Sequence, residues 1–320
     1  MKSKGVLITG ATGLLGAHLI QIGLQERIMI SPVARSMNRR SYLDTVKDKV
    51  PLFEADLTRE DITKIFPLNG IDTIIHCAGL ASPRKEDEQK MRNINLGATQ
   101  RLFKQAVESG VRNWVQVSSI ATLQGTMTKN ELSEEALGTP RETVYARTKY
   151  EAEKWLDQQR MNVSRLITVH PTYMLGPWDA KPSSGAIVFA VKMRKLKHFI
   201  NVTKNFVSPK DVALGIWKAL ETGVSGHYIL GHENCEFKVF VTKLLKALKM
   251  DTQSLKEILE NELNTIKSES EKALLREHCI ASSVSSQKAA NDFGYQPKIG
   301  LDEMIKSAID YFQEMKLLRI

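Results

Sequence analysis

The sequence predicts an α/β protein: a doubly wound parallel sheet over roughly the first half, followed by a smaller C-terminal α/β region. Three observations carry this expectation. Gly5 to Gly16 reads as an apolar strand, a glycine-rich turn and the start of an amphipathic helix. Strand-like and helix-like segments then alternate, as in a parallel sheet covered on both faces. From Pro171 the alternation gives way to a passage dense in Pro, Gly and Ser.

The first strand, Gly5 to Ile8, is a continuous apolar run, and the helix after it, Leu14 to Gln25, carries Leu15, Leu19, Ile20 and Ile22. Between them, Gly10 permits a sharp turn, Gly13 lets backbone approach a phosphate, and Gly16 lets the helix pack closely on the strand. Thr12 lies in the same turn. The amides of Leu14, Leu15 and Gly16 open the helix, where an anion is favoured. The segment therefore reads as a dinucleotide-binding turn on a Rossmann-type sheet. Further strands are expected near Ile28 to Val33, Pro51 to Glu54, Thr73 to His76, Trp114 to Val117 and Arg165 to Val169. Helices are expected near Arg59 to Phe66, Asp87 to Ser109 and Glu142 to Arg160.

Residues 1–171 are read as the dinucleotide-binding domain, with 205–230 returning to it, and residues 172–320 as mainly substrate-binding. In the second region, helices are expected at Pro209 to Glu221 and Phe237 to Leu248. The charged stretch Ser254 to Arg276 reads as a solvated helix with a seam of Leu255, Ile258, Leu259, Leu263 and Ile266. The last helix, after Leu301, has an apolar stripe expected to face the core.

Bulk properties narrow the function classes. The 320-residue chain is 42% hydrophobic and 25% charged, with a formal net charge of +9. Basic residues are spread along the chain beside acids, which points to a solvated surface and an anionic small ligand rather than nucleic acid. No uninterrupted apolar run approaches the roughly 20 residues of a membrane span. Cys77, Cys235 and Cys279 are far apart, indicating neither a disulfide framework nor a zinc site, and a cytoplasmic location is the natural reading. The seven histidines show no metal-ligand spacing, so they are read as surface or packing residues and no metal is expected.

Tyr145 and Lys149 are four residues apart on an expected helix, which puts phenol and ammonium on one face. About 26 residues upstream, a strand ends in Ser118 and Ser119, at the carboxyl edge where such sheets bind ligands. Hydride transfer to a carbonyl needs a proton donor for the developing alkoxide. A cation near Tyr145 would lower a phenol pKa of about 10, and a shift of about 3 units is worth roughly 4 kcal/mol.

With these residues in view, the chain resembles the extended short-chain dehydrogenase/reductase family, which includes sugar-nucleotide epimerases and dehydratases. Thr9-Gly-Ala-Thr-Gly-Leu-Leu-Gly16 resembles its TGxxGxxG motif, Asp56-Leu57 its adenine-side acidic pair, His76-Cys-Ala-Gly79 its fourth-strand turn, and Asn95-Leu-Gly-Ala-Thr99 its NVxGT helix with Ala98 in place of Gly. Val117-Ser-Ser-Ile120 and Tyr145-x3-Lys149 resemble its Ser-Tyr-Lys site. The segments Pro171 to Ser184, Asn205 to Ala213 and Lys288 to Tyr295 are similar to the dihydroflavonol reductase and 3β-hydroxysteroid dehydrogenase branch.

The resemblance implies Ser119, Tyr145 and Lys149 as catalytic residues. The serine register is open by one residue, since counting back from Gly125 lands on Ile120; Ser118 and Thr122 are the alternatives to Ser119. It implies dinucleotide contacts from Gly10, Thr12, Gly13, Leu14, Leu15, Gly16, Asp56, Leu57, Cys77, Ala78, Gly79, Asn95, Tyr145, Lys149, Pro171 and Thr172. Arg35, at the end of the second strand with Arg39 and Arg40 following, favours NADP over NAD, because a basic residue there accommodates a 2′-phosphate. Ser82, Tyr173 and Trp178 are candidates for the substrate wall. Trp178, Asp179 and Lys181 either line a pocket or belong to a loop held by its own hydrogen bonds. A homodimer through the helices around residues 87–109 and 142–160 is also implied.

The leading expectation is an NADPH-dependent reductase of a small, moderately apolar ketone or aldehyde, or the reverse alcohol oxidation. The runner-up is a nucleotide-sugar epimerase or dehydratase with tightly held NAD(P). A non-catalytic dinucleotide sensor is the third, opposed by the Tyr145–Lys149 pair.

Overall fold

The computed structural model describes residues 5–36, 42–46, 48–59, 70–82, 85–123, 131–136, 140–278 and 283–319. Strand β1 (Gly5–Thr9) is buried along its whole length, with Val6 and Ile8 on one face and Leu7 on the other. A turn at Gly10 leads into helix α1 (Leu14–Gln25), then β2 (Ile30–Ala34), the short α2 (Tyr42–Val46), β3 (Phe53–Glu54) and β4 (Ile71–His76). The next helix is broken rather than continuous. It comprises α3 (Glu88–Arg92), a π turn over Asn93–Gly97, and α4 (Ala98–Glu108). Strand β5 (Asn113–Val117), helix α5 (Val144–Gln158) and β6 (Arg165–Pro171) complete the alternation.

Seven strands form one parallel sheet. After β7 (Tyr173–Met174), α6 (Ala186–Lys192), β8 (His198–Phe199), β9 (Thr203–Val207) and α7 (Pro209–Thr222), strand β10 (Gly226–Leu230) pairs with β6, giving the order β10-β6-β5-β4-β1-β2-β3. The reversal of direction falls beside β1, between β1 and β4, so a crevice opens there at the carboxyl ends of the strands. Helices cover both faces. On one face α1 and α7 pack together, with Trp217 Nε1 donating to the Leu19 carbonyl (3.3 Å). On the other, Leu102, Phe103 and Ala106 of α4 meet Trp114 and Leu156.

The remainder of the chain builds a second core. Strand β11 (Glu233–Glu236) pairs antiparallel with β9, and β9 pairs with β7. Helix α8 (Phe237–Ala247) packs on the last helix, and Phe206 stacks on Phe240 at 4.6 Å. The expected solvated helix over 254–276 is a correction. The chain there forms β12 (Lys256–Glu257) paired in parallel with β8, a 3-10 turn at Glu260–Thr265, and only then α9 (Glu269–His278). Pairing with β8 draws the segment out and buries Leu255, while Ile266 closes on the same core. Helix α10 (Gln287–Phe293) returns to the large sheet beside α7 and β10. Helix α11 (Leu301–Glu314) buries Leu301, Met304, Ile305, Ala308, Ile309 and Phe312 in the second core.

Among the described residues, no helix is long and apolar enough to cross a membrane. Cys77 and Cys235 are free thiols. The expected helix near Arg59 to Phe66, beyond Arg59 itself, lies outside the described residues, as do Arg39, Arg40, Gly125 and Cys279.

Candidate active site

The carboxyl ends of β1 and β4 are tied by a buried polar ladder. The Thr9 hydroxyl donates to His76 Nδ1 (2.7 Å), His76 Nε2 donates to Thr99 Oγ1 (3.0 Å), and the Ala78 amide donates to Thr9 Oγ1 (3.2 Å). Burial pushes the His76 pKa down to about 3, with nearby Lys149 adding to the effect, so the ring is neutral. The ladder draws the Cys77–Gly79 turn onto Gly10, whose φ is +67°. A Cβ on Gly10 would lie 2.8 Å from Ala78 N and from the Cys77 carbonyl carbon. Gly16 is required for a different reason: a Cβ there would lie 2.4 Å from the Gly10 oxygen. Gly13 is exposed at the mouth of α1, where the first-turn amides lack intrahelical acceptors.

Asn95 holds this loop against α5. Its amide nitrogen donates to the Leu80 oxygen and to Thr148 Oγ1 (both 2.9 Å), and its oxygen accepts from Leu80 N (2.8 Å). Buried and fully engaged, Asn95 shapes the backbone around Gly79. A Cβ on Gly79 would sit 3.5 Å from Lys149 Nζ.

Helix α5 starts from Thr143, whose Oγ1 accepts from Ala146 N, and so presents Tyr145 to the end of β5. Tyr145 shares a hydrogen bond with the Ser119 side chain. Ser119 also caps the short turn over Ile120–Thr122, its Oγ accepting from Ala121 N. The two alternative hydroxyls are directed elsewhere: Ser118 Oγ donates to Glu153, and Thr122 Oγ1 donates to the Ser119 carbonyl (2.9 Å). Lys149, buried, donates to the Val117 carbonyl (2.7 Å), and burial lowers its pKa to about 8 against the pull of Glu153.

The phenol runs opposite to expectation. Tyr145 is raised above its ordinary value because burial outweighs the Ser119 hydrogen bond and Glu153 adds to the rise. The cation expected to lower it is itself depressed by burial and faces the Val117 carbonyl. Tyr145 is therefore protonated at neutral pH.

The other expected site residues fall into two groups. Arg35 is exposed just beyond β2 and acts on Asp56. Burial works to raise the Asp56 carboxyl, but hydrogen bonds from Thr58 and the charges of Arg35 and Arg59 outweigh it and leave the pKa lowered. Leu57 is buried beside this pair. In contrast, the Ser82 hydroxyl donates to Asp87, and the Thr172 hydroxyl donates to Asn205 Oδ1 (2.7 Å). Tyr173 donates to the Ser184 carbonyl, and Trp178 packs between Tyr42 (5.1 Å) and Tyr311 (5.4 Å). Asp179 accepts from the Ser183 amide and hydroxyl and from the Gly185 amide, so its carboxylate is engaged within the loop.

Sequence spacing gave no sign of a cluster behind Lys149. Glu153, His170 and His227 converge there, brought together by α5, β6 and β10. Reading the histidines as surface or packing residues missed this, because positions 153, 170 and 227 meet only in the folded sheet. One signal was available: Tyr145, Lys149, Glu153 and Asp157 recur every four residues along one helix face.

Burial also depresses His18 to about 4 and His170 to about 3. With His76, three imidazoles are held neutral when folded but take up protons near pH 6.5 when unfolded. Stability present above pH 6.5 is thus lost as pH falls towards 4. The urea midpoint is expected to drop over that window, with a shallower slope in His18→Gln. A flat profile in the wild type would refute this.

A model of the NAD dependent epimerase/dehydratase family matches residues 6–231. The chain belongs to this family. It is a member of the extended short-chain dehydrogenase/reductase superfamily, whose enzymes depend on NAD(P). Similar proteins include a candidate dihydroflavonol 4-reductase of Synechocystis sp., 25% identical over 250 residues and covering 74% of this chain and 70% of the relative. A UDP-glucose 4-epimerase of Vibrio cholerae is 30% identical over 182 residues, covering 54% of this chain and 53% of the relative. The solved UDP-glucose 4-epimerase of Thermus thermophilus superposes with a TM-score of 0.79 at 19% identity, covering 96% of this chain and 98% of that one.

Proposed function

We propose that this family member is an NADPH-dependent reductase of a small, moderately apolar ketone or aldehyde, with Tyr145 as proton donor, Ser119 as the group that positions the carbonyl oxygen, and Lys149 as their supporting cation. The observation that carries the reading is the meeting of Tyr145 with Ser119 at the carboxyl end of β5, one turn of α5 before Lys149. In reduction the phenol gives up its proton, and in the reverse oxidation the phenolate takes it back.

The residues present fit a dinucleotide. Gly13 is exposed at the start of α1 and carries no side chain over the first-turn amides, which suits a pyrophosphate. Arg35 would meet the 2′-phosphate, Asp56 and Leu57 the adenine side, and Lys149 the ribose hydroxyls near Gly79. Cys77, Ala78 and Pro171 would wall the site, with Thr172 contributing backbone because its hydroxyl is engaged by Asn205. Bound NADPH supplies the hydride. Ser119 holds the carbonyl oxygen within reach of Tyr145, and Tyr145 gives its proton as charge develops on that oxygen.

The V. cholerae relative favours the second reading, a nucleotide-sugar epimerase, in which no cofactor is consumed. A spectrophotometric screen decides between them, with flavanones, steroids, simple ketones and aldehydes run beside UDP-sugars. NADPH oxidation with a carbonyl is expected; UDP-sugar conversion without net oxidation would refute the reductase reading. In Arg35→Asp, the preference for NADPH over NADH is expected to fall roughly 10- to 100-fold, the worth of a charged hydrogen bond of about 1.5–3 kcal/mol. A wild type that turns over as well with NADH would overturn the assignment of Arg35.

A further inference from the structure

We propose that Glu153, His170, His227 and Asp157 form a proton relay that runs from behind Lys149 to the protein surface and resupplies the proton Tyr145 gives up. The proposal rests on the reductase reading. A carbonyl reduction takes one proton from water per turnover, while an epimerase returns its proton within the cycle, so only the former needs a conduit.

The path follows one face of α5. Tyr145, Lys149, Glu153 and Asp157 stand one turn apart, passing from the site to an exposed carboxylate whose side chain is 41% accessible. The two histidines bridge the outer half. His170, fully buried, places Nδ1 3.8 Å from Glu153 Oε1 and Nε2 3.0 Å from His227 Nδ1. His227 Nε2 lies 3.0 Å from Asp157 Oδ1. Beyond it, a cleft of about 650 Å³ that includes Glu134, His227, Lys288 and Asp292 opens to solvent.

The two outer links are hydrogen bonds, and a shift of less than about 1 Å by either side chain brings His170 Nδ1 into hydrogen-bond reach of Glu153. At the start, His170 Nδ1 and His227 Nδ1 carry protons, the first pointing to the Ser119 carbonyl (3.4 Å) and the second to His170 Nε2. A proton from water, guided by the Asp157 carboxylate, joins His227 at Nε2, the His227 Nδ1 proton passes to His170 Nε2, and the His170 Nδ1 proton passes to the Glu153 carboxylate. One proton has then moved inward, and each ring is neutral with its proton on Nε2. The Thr122 hydroxyl accommodates both states, because it reaches the Ser119 carbonyl (2.9 Å) and His170 Nδ1 (3.1 Å). Lys149 gives a proton to the Tyr145 phenolate, and Glu153, one turn further along α5, recharges Lys149 through an intervening water.

Burial raises Glu153 and lowers Lys149, which brings their proton affinities towards each other. Neutral His170 suits a relay that accepts at one nitrogen while releasing from the other.

The test compares wild type with His227→Gln and His227→Ala in steady-state reduction of an accepted carbonyl by NADPH. The glutamine can bond Asp157 but cannot pass a proton. Both variants are expected to lose at least about tenfold in kcat with unchanged KM for NADPH and unchanged Tm. Imidazole is expected to restore His227→Ala in a saturable manner through the surface cleft, and the solvent deuterium isotope effect on kcat should rise in both. An unchanged kcat would overturn the relay, as would a loss that imidazole does not restore and that His227→Gln repairs, since that would mark a packing role. Stoichiometric zinc in purified wild type, lost in His227→Ala, would overturn it in favour of a metal site. Failure of the reductase reading shows separately: wild type would then oxidise NADPH with no carbonyl, and the relay would fall with it.

Discussion

Tyr145→Phe is expected to lower turnover by about 10²- to 10⁴-fold while leaving dinucleotide affinity and Tm unchanged. The substitution removes one oxygen. Its contact is the Ser119 side chain, which keeps its bond to the Ala121 amide, so no cap is lost. Lys149 remains anchored to the Val117 carbonyl, and the backbone around Gly79 remains clamped by Asn95. The proton for the product alkoxide then has no donor in reach. Stopped assays of NADPH oxidation, paired with fluorescence titration of NADPH, check the two halves. Turnover within threefold of wild type would remove Tyr145 from the chemistry, and lost cofactor binding would assign it a structural role instead.

Gly10→Ala is expected to have the largest effect on the fold. At φ +67° an L side chain costs roughly 1 kcal/mol, before any contact is counted. The new methyl would also stand 2.8–2.9 Å from three backbone atoms of Cys77 and Ala78. Those atoms cannot rotate away, because the Ala78 amide is bonded to Thr9 and that residue to His76. Forcing β1 and β4 apart should cost a further 1–3 kcal/mol or so, as overpacking does. A total loss of roughly 2–4 kcal/mol in urea unfolding is expected, with dinucleotide affinity reduced at least about tenfold because the α1 amides shift. Unchanged stability and affinity would show that the turn relaxes freely.

The parallel sheet was legible because its strands are continuous apolar runs and its helices have a clear period, two signals that need no partner to be seen. Glycine spacing located the turn beside the reversal of strand order. Boundaries shifted where a neighbour decided them: β6 runs on to Pro171 because β10 pairs along it, and the helix expected over 87–109 contains a π turn in which Asn95 bonds Leu80 and Thr148. The stretch from 254 to 276 was misread because its apolar residues fit a helical seam, whereas β8 offers an unpaired edge that competes for them.

For the site, Tyr145 and Lys149 could be read from their spacing, because residues on one helix are placed by local geometry alone. The choice among Ser118, Ser119 and Thr122 could not, since it depends on which hydroxyl faces α5 and which turns to Glu153 or to the Ser119 carbonyl. The sign of the Tyr145 shift was equally hidden, because burial is a property of the packed structure. The sequence by itself determined the sheet, the glycine turn and the Tyr-Lys face, all set by residues near one another in the chain. Only the tertiary structure decided which serine meets the phenol and that His170 and His227 stand behind it, because Ser119 meets Tyr145, and His170 meets His227, only when α5 packs on β5, β6 and β10.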